Sequence, residues 1–211
     1  VVEPASPGAQ AGAAGKRQDE GLQKINLKLH LEAPGLDADF LLAVFGRWRE
    51  EKDQEIVDLA DYAHVEEGPG VLLISHRWHF GLDFADGKPG LFYGTRKGLE
   101  GPPAARLATA LEGLIAKSRR LATEKEFPPA ARARCGEIEV VLNDRLLAPN
   151  TDASHAVWGP AVAEVFGKLY APAAVAIEPE KDPARRLAYA VRAAVAGWTL
   201  DTLAGKAGGL P

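Results

Sequence analysis

The clearest pattern in the chain is the strict alternation of residues 24–32, KINLKLHLE. Ile25, Leu27, Leu29 and Leu31 share one side of an extended segment; Lys24, Asn26, Lys28, His30 and Glu32 share the other. That period of two predicts a strand with one buried and one wet face. Such strands belong to antiparallel or mixed sheets rather than to parallel sheets covered on both sides. After Pro34-Gly35 the period changes. Phe40, Leu41, Val44, Phe45 and Trp48 form one stripe of a helix over residues 37–52, with Asp37 as its N-cap.

The stretch 55–95 holds the longest β-type pattern and three of the five His. It reads as a three-strand meander over 56–65, 71–84 and 91–95, turned at EEGPG and at Asp86-Gly87. The second strand is long enough to need a bulge, placed at Gly81. Its rows would set Leu72, Ile74, His76, Trp78, Phe80, Leu82 and Phe84 on one side. Leu73, Ser75, Arg77, His79 and Asp83 would take the other.

A long helix follows over 101–125, with Leu107, Leu111, Leu114, Ile115 and Leu121 as its apolar stripe. A strand at 137–143, a structured loop DRLLAPNTD and a helix over 152–169, bent or restarted at Pro160, come next. Residues 173–178 and 185–193 read as two strands. The Ala-rich second segment also admits a helix. Strand–helix–strand–strand thus occurs at 24–84 and again at 137–193, an echo of topology without repeated residues. The expected fold is α+β: a mainly antiparallel sheet with helices on one face. Residues 1–22, rich in Ala, Gly and Pro, are expected to form a flexible tail. Residues 23–196 should form one domain, and 197–211 a frayed Gly-rich end.

Composition narrows the classes. The 211 residues are 46% hydrophobic and 26% charged, in the range of a globular chain with a core of ordinary size. The net charge of −4 gives no global basic field for nucleic acid. Cys135 is the only Cys, so no intrachain disulfide forms, and a reducing, cytoplasmic compartment is favoured. No apolar run reaches the ~18–20 residues of a membrane span. The absence of Met points to a chain that does not begin at a translation start.

Candidate chemistry gathers in the meander. His76-x-x-His79 would bracket a metal on a helix but splits across two faces of a strand, so no metal or cofactor is expected. His76 falls in an apolar row and reads as a core His. The polar face could gather Lys28, His30, Asp58, Tyr62, His64, Ser75, Arg77, His79 and Asp83. Of these, Tyr62, His64, Arg77 and His79 are the candidates for binding a ligand or partner. Asp61 breaks the apolar row of its strand and, turned inward, would need a partner. An Asp61–His76 pair is the one catalytic candidate. Ser75 points away from His76 and lacks a nucleophile elbow, so no hydrolase triad is read. Lys117, Arg119, Arg120, Arg132 and Arg134 form the main basic concentration, without interleaved aromatic residues, and read as helix solvation.

The segments DLADYAHVEEGPGVLLISH with GLDF…GLFY, and DRLLAPNTD, resemble a bacterial protein family of uncharacterised function. The resemblance spans about residues 24–193. It implies that Asp61, Tyr62, His64, His76 and the 144–150 loop form one structural unit, and it implies no activity or cofactor. The family pattern favours an acidic residue directly after the His, where this chain has Arg77, which weighs against a His-plus-carboxylate site.

The leading functional expectation is a non-catalytic, soluble domain that binds a protein partner, as an accessory subunit or a homo-oligomer. The alternative is a small enzyme or small-molecule binder using Asp61, His64, His76 and Arg77.

Overall fold

The structure, a computed structural model, describes residues 21–32, 36–51, 55–62 and 69–211. Eight strands form one antiparallel sheet: β1 (Ile25–Glu32), β2 (Ile56–Asp61), β3 (Pro69–Ser75), β4 (Trp78–Asp83), β5 (Gly90–Thr95), β6 (Arg132–Leu142), β7 (Val175–Pro179) and β8 (Ala188–Ala193). Their order is β2-β3-β4-β5-β1-β6-β8-β7. The helices are α1 (Ala38–Glu50), α2 (Pro103–Ala122), α3 (Asp152–Tyr170) and α4 (Leu200–Ala207).

The α+β fold expected from the alternation of β1 is the one observed. One row of residues in register, Leu59–Leu73–Phe80–Tyr93–Leu27–Val140–Tyr189–Pro179, crosses all eight strands. The helices pack on that side. Phe45 and Trp48 of α1 lie against Phe80. The Tyr93 ring fills the space over Gly113 of α2, where any side chain would collide with it. Tyr189 bonds His155 of α3 at 2.9 Å. The adjacent row, Ala60–Leu72–Gly81–Phe92–Lys28–Glu139–Ala190–Glu178, lies on the other face. Among the described residues no α-helix covers that face.

The echo of the two halves exists at the level of topology. β1 leads through α1 to the edge strand β2, and the chain meanders back to lie beside β1 before α2. β6 leads through α3 to the edge strand β7, and the chain returns as β8 beside β6 before α4. The first half carries two more strands in its return.

Several expectations are corrected. The strand expected over 71–84 is a hairpin, with β3 and β4 joined by a turn at His76 and Arg77. The Arg77 N–H donates to Ser75 Oγ at 3.0 Å, so the Ser side chain supplies the turn that no Gly or Asn marks. The faces therefore exchange across the turn: Val71, Leu73 and Ser75 join Phe80 and Leu82 under the helices, while Leu72 and Ile74 share the open face with His79. The bulge expected at Gly81 is not there: Gly81 pairs in register with Leu72, and the register shift of the β3–β4 pairing falls on β3 between Pro69 and Leu72, opposite Leu82. β6 begins at Arg132, five residues before the strand predicted there. α3 runs through Pro160 as one helix, anchored on both sides by buried Trp158, Val162, Val165 and Phe166. The C-terminal residues do not fray. Thr199 caps α4, whose Leu203 and Ala207 are buried, and the Trp198 ring lies 5.7 Å from that of Tyr170. Leu22, placed in the flexible tail, is buried in the core. The rest of that tail, residues 1–20, lies outside the described residues.

Candidate anion-binding cleft

The open face is not uniform, and glycine makes the difference. Gly81, Gly90 and Gly94 take open-face positions on β4 and β5, leaving depressions that neighbouring side chains partly fill. Lys28 lies across Gly90 and reaches Asp83 at 2.7 Å, with its Nζ also donating to Ala85 O at 3.3 Å. His30 pairs with Glu139 at 2.9 Å, and this bond is the main influence holding the Glu139 carboxyl below its usual range. Towards β7, Arg192 pairs with Glu178 and Arg185 with Glu180. These basic groups each have a carboxylate partner, and the depressions on this half are lined by carboxylates as well as by Lys88, Arg145 and Arg186.

The other end is different. Over Gly94 opens a cleft of about 510 Å³, lined by Lys24, Asn26, His76, His79, Phe92, Thr95, Arg96, Lys97 and Asn143. Its lining holds no carboxylate. His79, Gly94 and Asn26 stand in register across β4, β5 and β1. The Phe92 ring lies over Gly94, where a side chain at 94 would begin. These residues, with Asn143, make a half-buried floor, and Lys24, His76, Arg96 and Lys97 form an exposed rim. Among the described residues, no carboxylate pairs with Lys24, Arg96 or Lys97.

Backbone and uncharged groups hold the rim. The Gln23 carboxamide donates to Leu99 O at 2.9 Å and accepts from Leu99 N–H at 2.8 Å, fixing the segment that carries Arg96 and Lys97. Thr95 Oγ1 accepts from Ile25 N–H at 2.9 Å and donates to Gln23 O at 2.7 Å. Arg96 N–H donates to Arg77 O at 2.7 Å, and its guanidinium donates to Ser75 O at 3.1 Å. Asn143 N–H donates to Lys24 O at 2.8 Å. Burial, and then the positive charge of Arg96, hold His79 below its ordinary pKa of 6.5.

The site residues read from sequence separate here. His79 is in the cleft floor. His76 is on its rim, exposed at the hairpin turn, which corrects its reading as a core His. The adjoining depression holds Arg77, 3.5 Å from Glu55, and shares His76 and Lys97 with the cleft. Asp61 and Tyr62 lie at the opposite end of the hairpin layer. Asp61 pairs in register with Val71, five residues from His76 and so roughly 17 Å away along the strand. The Asp61–His76 pair is therefore excluded by geometry. Asp61 and Tyr62 are exposed at the sheet edge, with Tyr62 N–H donating to Gly70 O. Asp58 is exposed on β2. Ser75 is fully buried on the helix side, apart from the polar face expected for it. His64 lies outside the described residues.

The chain matches no protein-family model, no curated protein and no solved structure.

Among the described residues no group of three His, Cys, Asp or Glu is placed to hold a metal ion, and no helix is long and apolar enough to cross a membrane. Most of the basic concentration on α2 and β6 is paired: Arg119 with Asp201, Arg120 with Glu51, and Arg134 with Glu137 and Glu32, while Arg132 donates to the Ala131 backbone oxygen and Lys117 lies over the Trp78 ring. Arg120 also lies over the Trp48 ring, 4.0 Å from its centroid. Sequence reasoning missed Lys24, Asn26, Phe92, Arg96, Lys97 and Asn143. One signal was present for Arg96 and Lys97, two consecutive cations directly after a strand that ends in Gly-Thr.

Proposed function

We propose that the protein is a non-catalytic binding domain, serving as an accessory subunit, that holds a small anion in the cleft over Gly94. The observation that supports this is the lining of the cleft. Three permanent cations and two imidazoles line one cleft whose lining holds no carboxylate, and among the described residues none of the three cations has an ion pair, on a protein whose net charge is −4. Exposed cations repel one another unless an anion joins them, and a concave wall of low dielectric strengthens that attraction. The non-catalytic part of the reading is supported by the separation of Asp61 from His76 and by the burial of Ser75 under the opposite face.

Lys24→Gln and Lys97→Gln test the reading. Both side chains are exposed and, among the described residues, lack an ion pair, so folding is expected to be unchanged. Calorimetric titration with pyrophosphate is expected to show binding that weakens with added salt. Each variant should lower the affinity by about five- to tenfold, in line with one Coulombic contact in a partly screened site. No binding by the unaltered chain, or variants that bind as well as it does, would end the reading.

A further inference from the structure

We infer that the anion carries a planar ring as well as phosphate, the class of a mononucleotide; this rests on the anion-binding reading and specifies its ligand.

Phosphate alone would need only the rim. The floor is built for something else. Phe92 is a half-buried aromatic residue in the lining of a cationic cleft, on the face that no α-helix covers among the described residues. Its neighbour in register, Lys28, does not add its charge there, because the ammonium is drawn across Gly90 to Asp83. Gly94 lacks a side chain, so the tip of the Phe92 ring settles over it beside the Asn26 carboxamide oxygen, between the strands that carry Asn26 and His79. An aromatic side chain at such a place gives a stacking surface for a flat ring, and every nucleobase has one.

The polar groups of the floor fit the same ligand. Asn26 and Asn143 are half-buried residues in the lining, and among the described residues neither side chain has a hydrogen-bond partner. Neither is among the buried unpartnered groups, so both amides stay open to the cleft and free to pair with a ligand. Each offers both a donor and an acceptor, as the polar edge of a base or a ribose requires. The volume of about 510 Å³ lies within the ~300–1,000 Å³ typical of small-molecule sites. The arrangement is thus phosphate at Lys24, Arg96 and Lys97, and ring at Phe92 between the two Asn.

The test compares pyrophosphate, ribose 5-phosphate and ADP as probes on the full chain, by calorimetry at one ionic strength. ADP is expected to bind at least about tenfold more tightly than pyrophosphate, the gain one base stacked on an aromatic side chain provides. Phe92→Leu, verified as folded by circular dichroism, should bring ADP down to the level of pyrophosphate and leave pyrophosphate unchanged. A measurement on the unaltered chain stands beside it: proton NMR should show nuclear Overhauser contacts between the adenine protons and the Phe92 ring. Equal affinity for ADP and pyrophosphate, or adenine without contact to Phe92, overturns the ring assignment and leaves the anion site standing. Failure of all three probes to bind overturns both.

Discussion

Lys28 Nζ stands 2.7 Å from Asp83 Oδ2, although the two residues lie two strands apart, on β1 and β4. The side chain spans β5 at Gly90, the one position in its path where nothing projects. A Cβ at 90 would come 2.7 Å from Lys28 Cγ, 2.8 Å from its Cε and 2.9 Å from the backbone oxygen of Leu29. The Lys could swing away, but the backbone oxygen cannot. The pair is largely buried, with side-chain exposures of 8% and 16%, so losing one partner leaves a charge poorly solvated. Gly90→Ala and Asp83→Asn are both expected to lower unfolding free energy in urea, Asp83→Asn by about 3 kcal/mol. Their double variant should cost less than the sum of the two, because both break one pair. Strict additivity would show that Gly90 acts independently of the ion pair.

This pair also shows what the sequence does and does not disclose. Lys28 and Asp83 are both visible as polar residues on strands, and the polar face of β1 is legible from its alternation, but it is not the wet face expected, since Lys28 and His30 are buried. Their meeting depends on strand order, which periodicity does not encode. The same holds for the cleft, where Lys24, Phe92 and Asn143 come from three strands or strand ends. The hairpin at Ser75–Trp78 was hidden for a different reason. Residues 71–74 are apolar without a gap, so their facing was ambiguous, and the turn contains none of the residues that mark a left-handed backbone. Once Ser75 is seen to accept the Arg77 N–H, the change of apolar parity from Val71 and Leu73 to Phe80 and Leu82 follows. α4 was obscured by surrounding Gly, although Thr199 three residues before Thr202, and Leu200, Leu203, Ala204 and Ala207 at helical spacing, already outlined it.

The cleft makes a prediction about pH. His79 stands in register with Ile74 and Gly94, and it shares the cleft with Arg96, Lys97, Lys24 and a second imidazole, His76. Its pKa is lowered by burial and by Arg96, so the folded chain binds this proton less readily than the unfolded chain does. His79 thus makes stability rise with pH across the window from its lowered value up to 6.5. A bound anion reverses the local field and favours the imidazolium. Binding should therefore take up a proton and strengthen as pH falls below neutrality. Pyrophosphate titrates too, but its own charge cancels in a ratio. The dissociation constant of His79→Gln divided by that of the unaltered chain should stay near one at pH 8 and grow steadily towards pH 6. A flat ratio would show that His79 does not face the anion.

The C-terminal helix gives a prediction that separates a docked element from a frayed end. Leu203 is fully buried, and α4 packs on α2, where Asp201 accepts from the Arg119 guanidinium at 2.5 Å. Nearby, Trp198 covers Tyr170, whose hydroxyl donates to Cys135 O at 2.7 Å, so the helix closes the end of the core around β6. A residue in a frayed end can be truncated at no cost, whereas a buried Leu cut to Ala leaves a cavity as well as losing its transfer energy. Leu203→Ala is expected to cost about 2–5 kcal/mol in urea unfolding. Leu200→Ala, on the half-exposed side of the same turn, should cost much less, and Asp201→Asn less than about 1 kcal/mol, since its pair is exposed. The thiol of Cys135 reports the same event independently. It is buried, and desolvation raises its pKa. Labelling by a disulfide reagent should be slow in the unaltered chain and markedly faster in Leu203→Ala, since opening α4 uncovers the strand beneath it. Unchanged stability together with unchanged labelling would mean that α4 does not hold the core closed.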